Sequence, residues 1–266
     1  MSRSDAAEQS LRNGDPAEAL VRLQEDVRAN PADAKLRVFL FQLLCVVGQW
    51  ERALNQLTVA SSLDPIALAM AQTYGDAVRC EAIRRDVFEG KRSPMVLGEP
   101  DQWLALLIES LLVAGRGQNS ESEQLRQRAF EEADTSRGGI DDRPFTWIAD
   151  ADSRLGPVLE AMINGRYYWV PFSRLSKISM DSPEDLRDVV WMPAHLHFEN
   201  GGESIAFIPT RYPGSESSPD GLVALGRKTV WNEVAEGAHH GLGQRMLATD
   251  IGETPLMEIR TIVIER

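Results

Sequence analysis

Val158-Leu159-Glu160-Ala161-Met162-Ile163-Asn164-Gly165-Arg166-Tyr167-Tyr168-Trp169-Val170-Pro171-Phe172 is where the chain turns to β structure. An apolar-rich run, Val158 to Ile163, meets Asn164-Gly165, a pair that accepts positive φ at both central positions of a type I′ turn. Arg166 to Phe172 then returns as an aromatic strand. Alternation sets Tyr167 and Trp169 on one face of that strand and Tyr168 on the other. One face must be core, and the other is a candidate surface for a ligand or a partner.

Downstream the hydrophobic period stays near 2. Asp188 to Phe198 reads as a strand, Glu199-Asn200-Gly201-Gly202 as a turn and Glu203 to Pro209 as the return. Leu225 to Val234 and Leu256 to Glu265 read as further strands, so a small barrel or curled sheet is expected. Ser182-Pro183-Glu184-Asp185-Leu186 has the form of a helix start with proline at the first helical position.

Upstream the pattern is helical and repeats. Gly14-Asp15-Pro16-Ala17-Glu18-Ala19-Leu20 recurs 34 residues later as Gly48-Gln49-Trp50-Glu51-Arg52-Ala53-Leu54, and Asn30-Pro31 recurs as Asp64-Pro65. That is the tetratricopeptide period: glycine ends one helix, a small residue lets paired helices approach, and proline stops the second. A third unit departs from the pattern, with Ala82 where glycine belongs, so Pro65 to Glu89 is either one long helix or a broken pair. A fourth pairs Asp101 to Ala114 with Ser122 to Ala133. By analogy with such repeats, Lys35, Val38, Gln42 and Cys45 face the groove. Thr135 to Arg143 reads as a linker. The expected fold is therefore multidomain α and β: a tetratricopeptide-like α-α superhelix over residues 1–136, then a mainly antiparallel β domain over residues 140–266.

Composition narrows the function. The 266 residues carry a formal net charge of −12, with no excess of Lys and Arg in either half, which disfavours nucleic acid as a partner. Met1-Ser2-Arg3-Ser4-Asp5 leads into a polar stretch without the apolar core of a secretory signal, and no apolar run approaches the roughly 20 residues of a membrane span, so a cytoplasmic protein without a membrane contact is expected. The two cysteines, Cys45 and Cys80, read as reduced core thiols.

Few residues invite chemistry. Asp150-Ala151-Asp152-Ser153-Arg154 suggests a divalent-metal loop or an acid–base carboxylate pair, but Leu155, Gly156, Pro157 and Val158 supply no further ligands. The more economical reading has Arg154 neutralising one acid while the other accepts backbone N–H groups. His195 and His197 share a strand face at zinc-ligand spacing, yet only Glu199 is near enough in sequence to join them. Gly241-Leu242-Gly243 lacks a third glycine and a following helix, and no nucleophile–base motif is legible. No metal, nucleotide or organic cofactor is expected.

The stretch from Phe145 to Phe172, with Asp185-Leu186-Arg187-Asp188-Val189-Val190-Trp191, Pro209-Thr210-Arg211-Tyr212-Pro213-Gly214-Ser215 and Gly241-Leu242-Gly243-Gln244-Arg245, resembles the ImpE family, also called SciE-type or TagJ proteins. The resemblance covers nearly the whole chain. It implies a non-enzymatic adaptor encoded with bacterial type VI secretion systems, one that binds the small subunit of the contractile sheath through a helical segment and connects it to the AAA+ ATPase that recycles the sheath. Lys35, Val38 and Gln42 in the superhelix, or Arg154 and Tyr168 in the sheet domain, are the expected partner-binding residues. Two other readings compete: a metal-dependent or acid–base hydrolase working at Asp150, Asp152 and Arg154, and a generic tetratricopeptide scaffold or co-chaperone.

Overall fold

The computed structural model describes residues 4–235 and 237–265. The polar start at Met1 to Arg3, and the ends of both expected domains, lie in part outside the described residues. Among the described residues seven helices build the first half: α1 (Ser4–Arg12), α2 (Pro16–Ala29), α3 (Ala34–Val46), α4 (Trp50–Leu63), α5 (Ala67–Phe88), α6 (Gln102–Gly115) and α7 (Asn119–Glu132). The local chemistry sets their ends. Asp15 accepts the Glu18 N–H at 2.8 Å ahead of Pro16, and Asp33 accepts the N–H groups of Lys35 and Leu36. Gly14 and Gly48 stop α1 and α3 in the left-handed region, at φ +81° and +67°. Where the third unit has Ala82 instead of glycine, nothing breaks the chain and α5 runs on for 22 residues.

Among the described residues fourteen strands follow the helices or interrupt them: β1 (Met95–Val96), β2 (Arg137–Ile140), β3 (Arg143–Phe145), β4 (Ile148–Asp150), β5 (Val158–Ile163), β6 (Arg166–Pro171), β7 (Leu175–Met180), β8 (Trp191–Phe198), β9 (Glu203–Pro209), β10 (Thr229–Ala235), β11 (Ala238–Gly243), β12 (Met246–Thr249), β13 (Gly252–Pro255) and β14 (Thr261–Glu265). Nine form one mixed sheet in the order β1-β6-β5-β9-β8-β7-β14-β2-β3, antiparallel except where β1 joins β6 from within the helical half. β13-β12-β4 make a second sheet and β10-β11 a ribbon, so the fold is α+β with an open sheet and not a small barrel. Asn164 and Gly165 both take positive φ, 49° and 71°, as the quoted turn requires.

Three expectations are corrected. The supposed linker is the edge hairpin β2–β3, turned by Asp141 and Asp142 at φ 45° and 66°, because Asp tolerates the left-handed region in a tight turn. No helix forms at Pro183: Asp185 accepts from the Arg187 N–H and guanidinium, and Asp188 accepts the N–H groups of Glu184 and Asp185, so side-chain turns outcompete helical bonds. Leu225 and Leu256 do not begin strands, since Asp220 caps a short helical turn, Gly221–Ala224, and a 3₁₀ turn occupies Leu256–Glu258.

Two buried clusters flank the large sheet. On one face the helices pack Phe41, Leu44 and Leu104 against Val158, Met162, Tyr167, Trp169 and Trp191. On the other, Leu159, Ala161, Val170, Leu196 and Ile208 meet the second sheet through Leu247 and Ile148. Both faces of β6 are therefore core, and Tyr168, expected on a free surface, packs half-buried against the second cluster. The helical half is tied to the β half directly: a Cβ on Gly14 would lie 2.7 Å from Leu222, and one on Gly48 would collide with Glu216.

Candidate functional site

A network of charged side chains lies sealed between the helices and β5. Glu160 projects inward from the middle of the apolar β5 run, and no part of it reaches solvent. Arg84, on α5, grips it with Nε–Oε1 and Nη2–Oε2 contacts of 2.6 and 3.0 Å and gives a third bond to the Arg211 carbonyl at 2.7 Å. The Tyr167 hydroxyl donates to Glu160 at 2.5 Å and accepts from the Trp169 indole at 2.8 Å. Arg245, wholly buried just ahead of β12, bridges Glu160 and Asp150 and donates Nε to the Pro209 carbonyl at 2.8 Å. Glu81, one turn before Arg84, accepts the Trp191 indole N–H at 2.7 Å.

The Asp150 to Arg154 block adjoins this network and has the economical form read from the sequence. Arg154 forks onto Asp152 through Nε and Nη2 at 2.9 and 2.5 Å, and its guanidinium lies 4.9 Å from the Phe88 ring centroid. Asp152 also accepts the backbone N–H groups of Arg154 and Gly241. Asp150 accepts the Asp152 N–H and the Tyr212 hydroxyl. The oxygens that a divalent cation would need are engaged by protein donors.

Electrostatics follow from burial and pairing. Burial alone would push the Glu160 carboxyl up, but Arg84 and Arg245 hold it down to about 2. Burial raises Asp150 to about 6 despite Arg245, with Asp152 adding repulsion. Burial raises Glu81 against the pull of Arg84. Arg211 is lowered by burial; it donates to the carbonyls of Val46 and Ala224, while its Nε has no partner among the described residues. Glu81, Asp150, Asp152 and Glu160 are matched in number by Arg84, Arg154, Arg211 and Arg245. Almost wholly buried and charge-balanced, the network clamps α3 and α5 onto the β half, and a depression of about 350 Å³ adjoins it at Asp150 and Ser153.

The candidate contact residues do not form one surface. Lys35 is exposed, and Val38 and Gln42 are half-buried on the same stripe of α3. Cys45, expected beside them in a groove, is fully buried, and burial pushes its thiol well up. Tyr168 lies across the sheet from them. His195 and His197 do share a face, 4.9 Å between ring centroids, but the carboxylate facing them is Glu203, at 3.1 Å from His197 Nδ1, rather than Glu199. Among the described residues no group of three or more His, Cys, Asp or Glu is arranged to hold a metal ion. The sequence reading missed Glu160, Arg84, Arg245 and Glu81; the one signal for them was a glutamate inside a run whose other members are all apolar.

Known proteins share both the sequence and the fold of this chain. Residues 142–263 match the family model described as ImpE protein. The type VI secretion system accessory component TagJ of Pseudomonas aeruginosa is 47% identical over 259 residues, covering 97% of this chain and 91% of that protein. The crystal structure of protein VPA1032 from Vibrio parahaemolyticus superposes with a TM-score of 0.89 at 26% identity, covering 98% of this chain and 97% of that one. With a shared sequence and a shared fold over almost its entire length, this chain belongs to the ImpE family.

Proposed function

We propose that the protein is a cytoplasmic, non-enzymatic accessory adaptor of a type VI secretion system. It binds the small subunit of the contractile sheath through a helical segment of that subunit and links the sheath to the AAA+ ATPase that recycles it. The observation that carries this reading is the 47% identity to an accessory component of such a system over 97% of the chain. The charge-balanced network supports a structural rather than a catalytic use of the buried acids. No helix among the described residues is long and apolar enough to cross a membrane, and the net charge of −12 opposes binding to polyphosphates.

The 34-residue period supports a tetratricopeptide-like arrangement of the first helices, and such arrangements accept helices in grooves. Lys35, Val38 and Gln42 are the proposed contacts there; Arg154 and Tyr168, with less free surface, are the alternative set. Immobilised protein should retain the purified sheath subunit and the ATPase, and Lys35→Glu with Val38→Glu should weaken retention of one of them. If the unmutated protein retains neither, the adaptor reading fails.

A further inference from the structure

The helices cover only part of the sheet face they meet. Pairing registers place Ile205 of β9, His195 of β8, Ser179 of β7 and Thr261 and Val263 of β14 on the same face as Phe207 and Trp191, since His195 pairs with both Ile205 and Ser179, and Ser179 with Thr261. None of those first five is buried: Ile205 is 75% exposed and Val263 42%. On β5 and β6 the same face is closed by helices.

Strands lie roughly 4.8 Å apart, so beyond Phe207 and Trp191, which the helices still cover, β9, β8, β7 and β14 leave about 15 to 19 Å of face open. One helix, about 10 Å across with its side chains, fits that width. The shape is concave. A depression of about 650 Å³ runs from Met180 and Asp181 past His195 and Ile205 to Arg260, another of about 590 Å³ continues along Gly139, Asp141 and Val263, and a third separates Ile205 from Asp76 on α5. The charged residues lining these depressions are Asp76, which Arg79 pairs on α5, and Asp141, Asp142, Asp181 and Glu265 against Arg260. Lys177 and Arg137 project from the same face farther along the strands and do not reverse that balance.

We infer that this open half of the sheet is a docking face for a basic amphipathic helix of a partner protein, which lies beside α5 and completes the helical layer. An apolar stripe on that helix covers Ile205 and Val263, and its Lys and Arg meet the acidic rim. A second copy of this chain is a poor occupant, because two acidic faces would be brought together. The inference goes beyond the α3 contact and rests on the adaptor reading, which requires surfaces for more than one partner.

Calorimetry of the full chain with synthetic helical segments spanning the small sheath subunit and the ATPase tests it. One segment with an apolar stripe and net positive charge should bind and weaken as salt is raised. Ile205→Glu with Val263→Glu should reduce that affinity at least tenfold, although it makes the face more acidic, whereas Val234→Glu with Ile251→Glu, at exposed side chains outside both proposed surfaces, should leave it within twofold. Both side chains replaced are exposed, and unchanged thermal midpoints will show that the variants fold. As a readout independent of those variants, a photoreactive label on Lys177→Cys should cross-link the bound segment; Cys45 and Cys80 are buried and escape labelling. Binding undiminished by Ile205→Glu with Val263→Glu, an acidic bound segment, no cross-link under saturation, or concentration-dependent self-association through Ile205 would overturn the docking face. If whole subunits bind and no segment does, the face is wrong and the adaptor reading stands; if no whole subunit binds, the adaptor reading fails and the inference with it.

Discussion

On β5 and β6 the helix-facing side of the large sheet is closed over by Tyr167, Trp169 and the Glu160 network, whereas two to four strands farther along, on β8, β7 and β14, the same side presents His195, Thr261 and Val263 to solvent. Both regions are ladders of one sheet, the open one with a register shift between Leu175 and Lys177. What differs is the second layer: the helices reach β8 at Trp191, which packs against Trp50 and Tyr74, and stop short of His195. The open half is held from behind, where Met192, Leu196, Ile178 and Ile262 pack into the second cluster, so an antiparallel sheet can leave one side wet without losing its core. Covered and open regions of one face thus separate what keeps the molecule together from what it can offer to others.

Breaking the covered half should have the largest effect. Arg245→Met leaves Asp150 and Glu160 each short of a guanidinium where no water reaches, and should lower the free energy of unfolding in urea by about 3 to 5 kcal/mol. A loss below about 1 kcal/mol would mean that the network is not the clamp described.

The next effect is on pH dependence. Asp150 is raised from 3.8 to about 6, so its contribution to stability is full below pH 3.8 and is lost as pH rises through 6, by about 3 kcal/mol. Glu160 has the opposite sign: lowered from 4.5 to about 2, it stabilises fully above pH 4.5, and that stability is lost as pH falls toward 2. Urea midpoints between pH 4 and 6 should fall less steeply in Asp150→Asn than in the unmutated protein. Equal slopes would contradict the burial of that carboxyl.

Trp191→Phe should cost about 1 to 3 kcal/mol by leaving the buried Glu81 carboxylate without its indole donor. In the open half, Ile205→Ser should change stability by no more than about 0.5 kcal/mol, because its side chain already stands in water. If Ile205→Ser destabilised the protein as much as Trp191→Phe, the two halves would not differ as described.

Local patterns were readable from the sequence and distant ones were not. Asp15-Pro16 and Asp33 mark helix starts, Gly14 and Gly48 mark stops, and Asn164-Gly165 marks the hairpin; each acts within a few residues. The Asp152–Arg154 pair is equally local. The partners of Glu160, by contrast, lie 76 and 85 residues away, and a pairing at such separation imposes no period on the sequence. Pro183 misled because a helix start and an Asp-rich turn share their first residues, and only the bonds that Asp185 and Asp188 make distinguish them. Alternation from Glu203 to Pro209 shows that Ile205 shares a face with Phe207, but not where the helical layer ends.

The division between the two halves is tested most directly by histidine footprinting. The full chain is treated with diethyl pyrocarbonate alone, then with saturating small sheath subunit or ATPase, and modification is read by mass spectrometry at His195, whose side chain is 50% exposed, and at exposed His239 as the control outside the open half. The account predicts that one of the two partners sharply lowers modification of His195 and leaves His239 unchanged. Saturating binding of both partners, each with His195 as reactive as in the free protein, would contradict it.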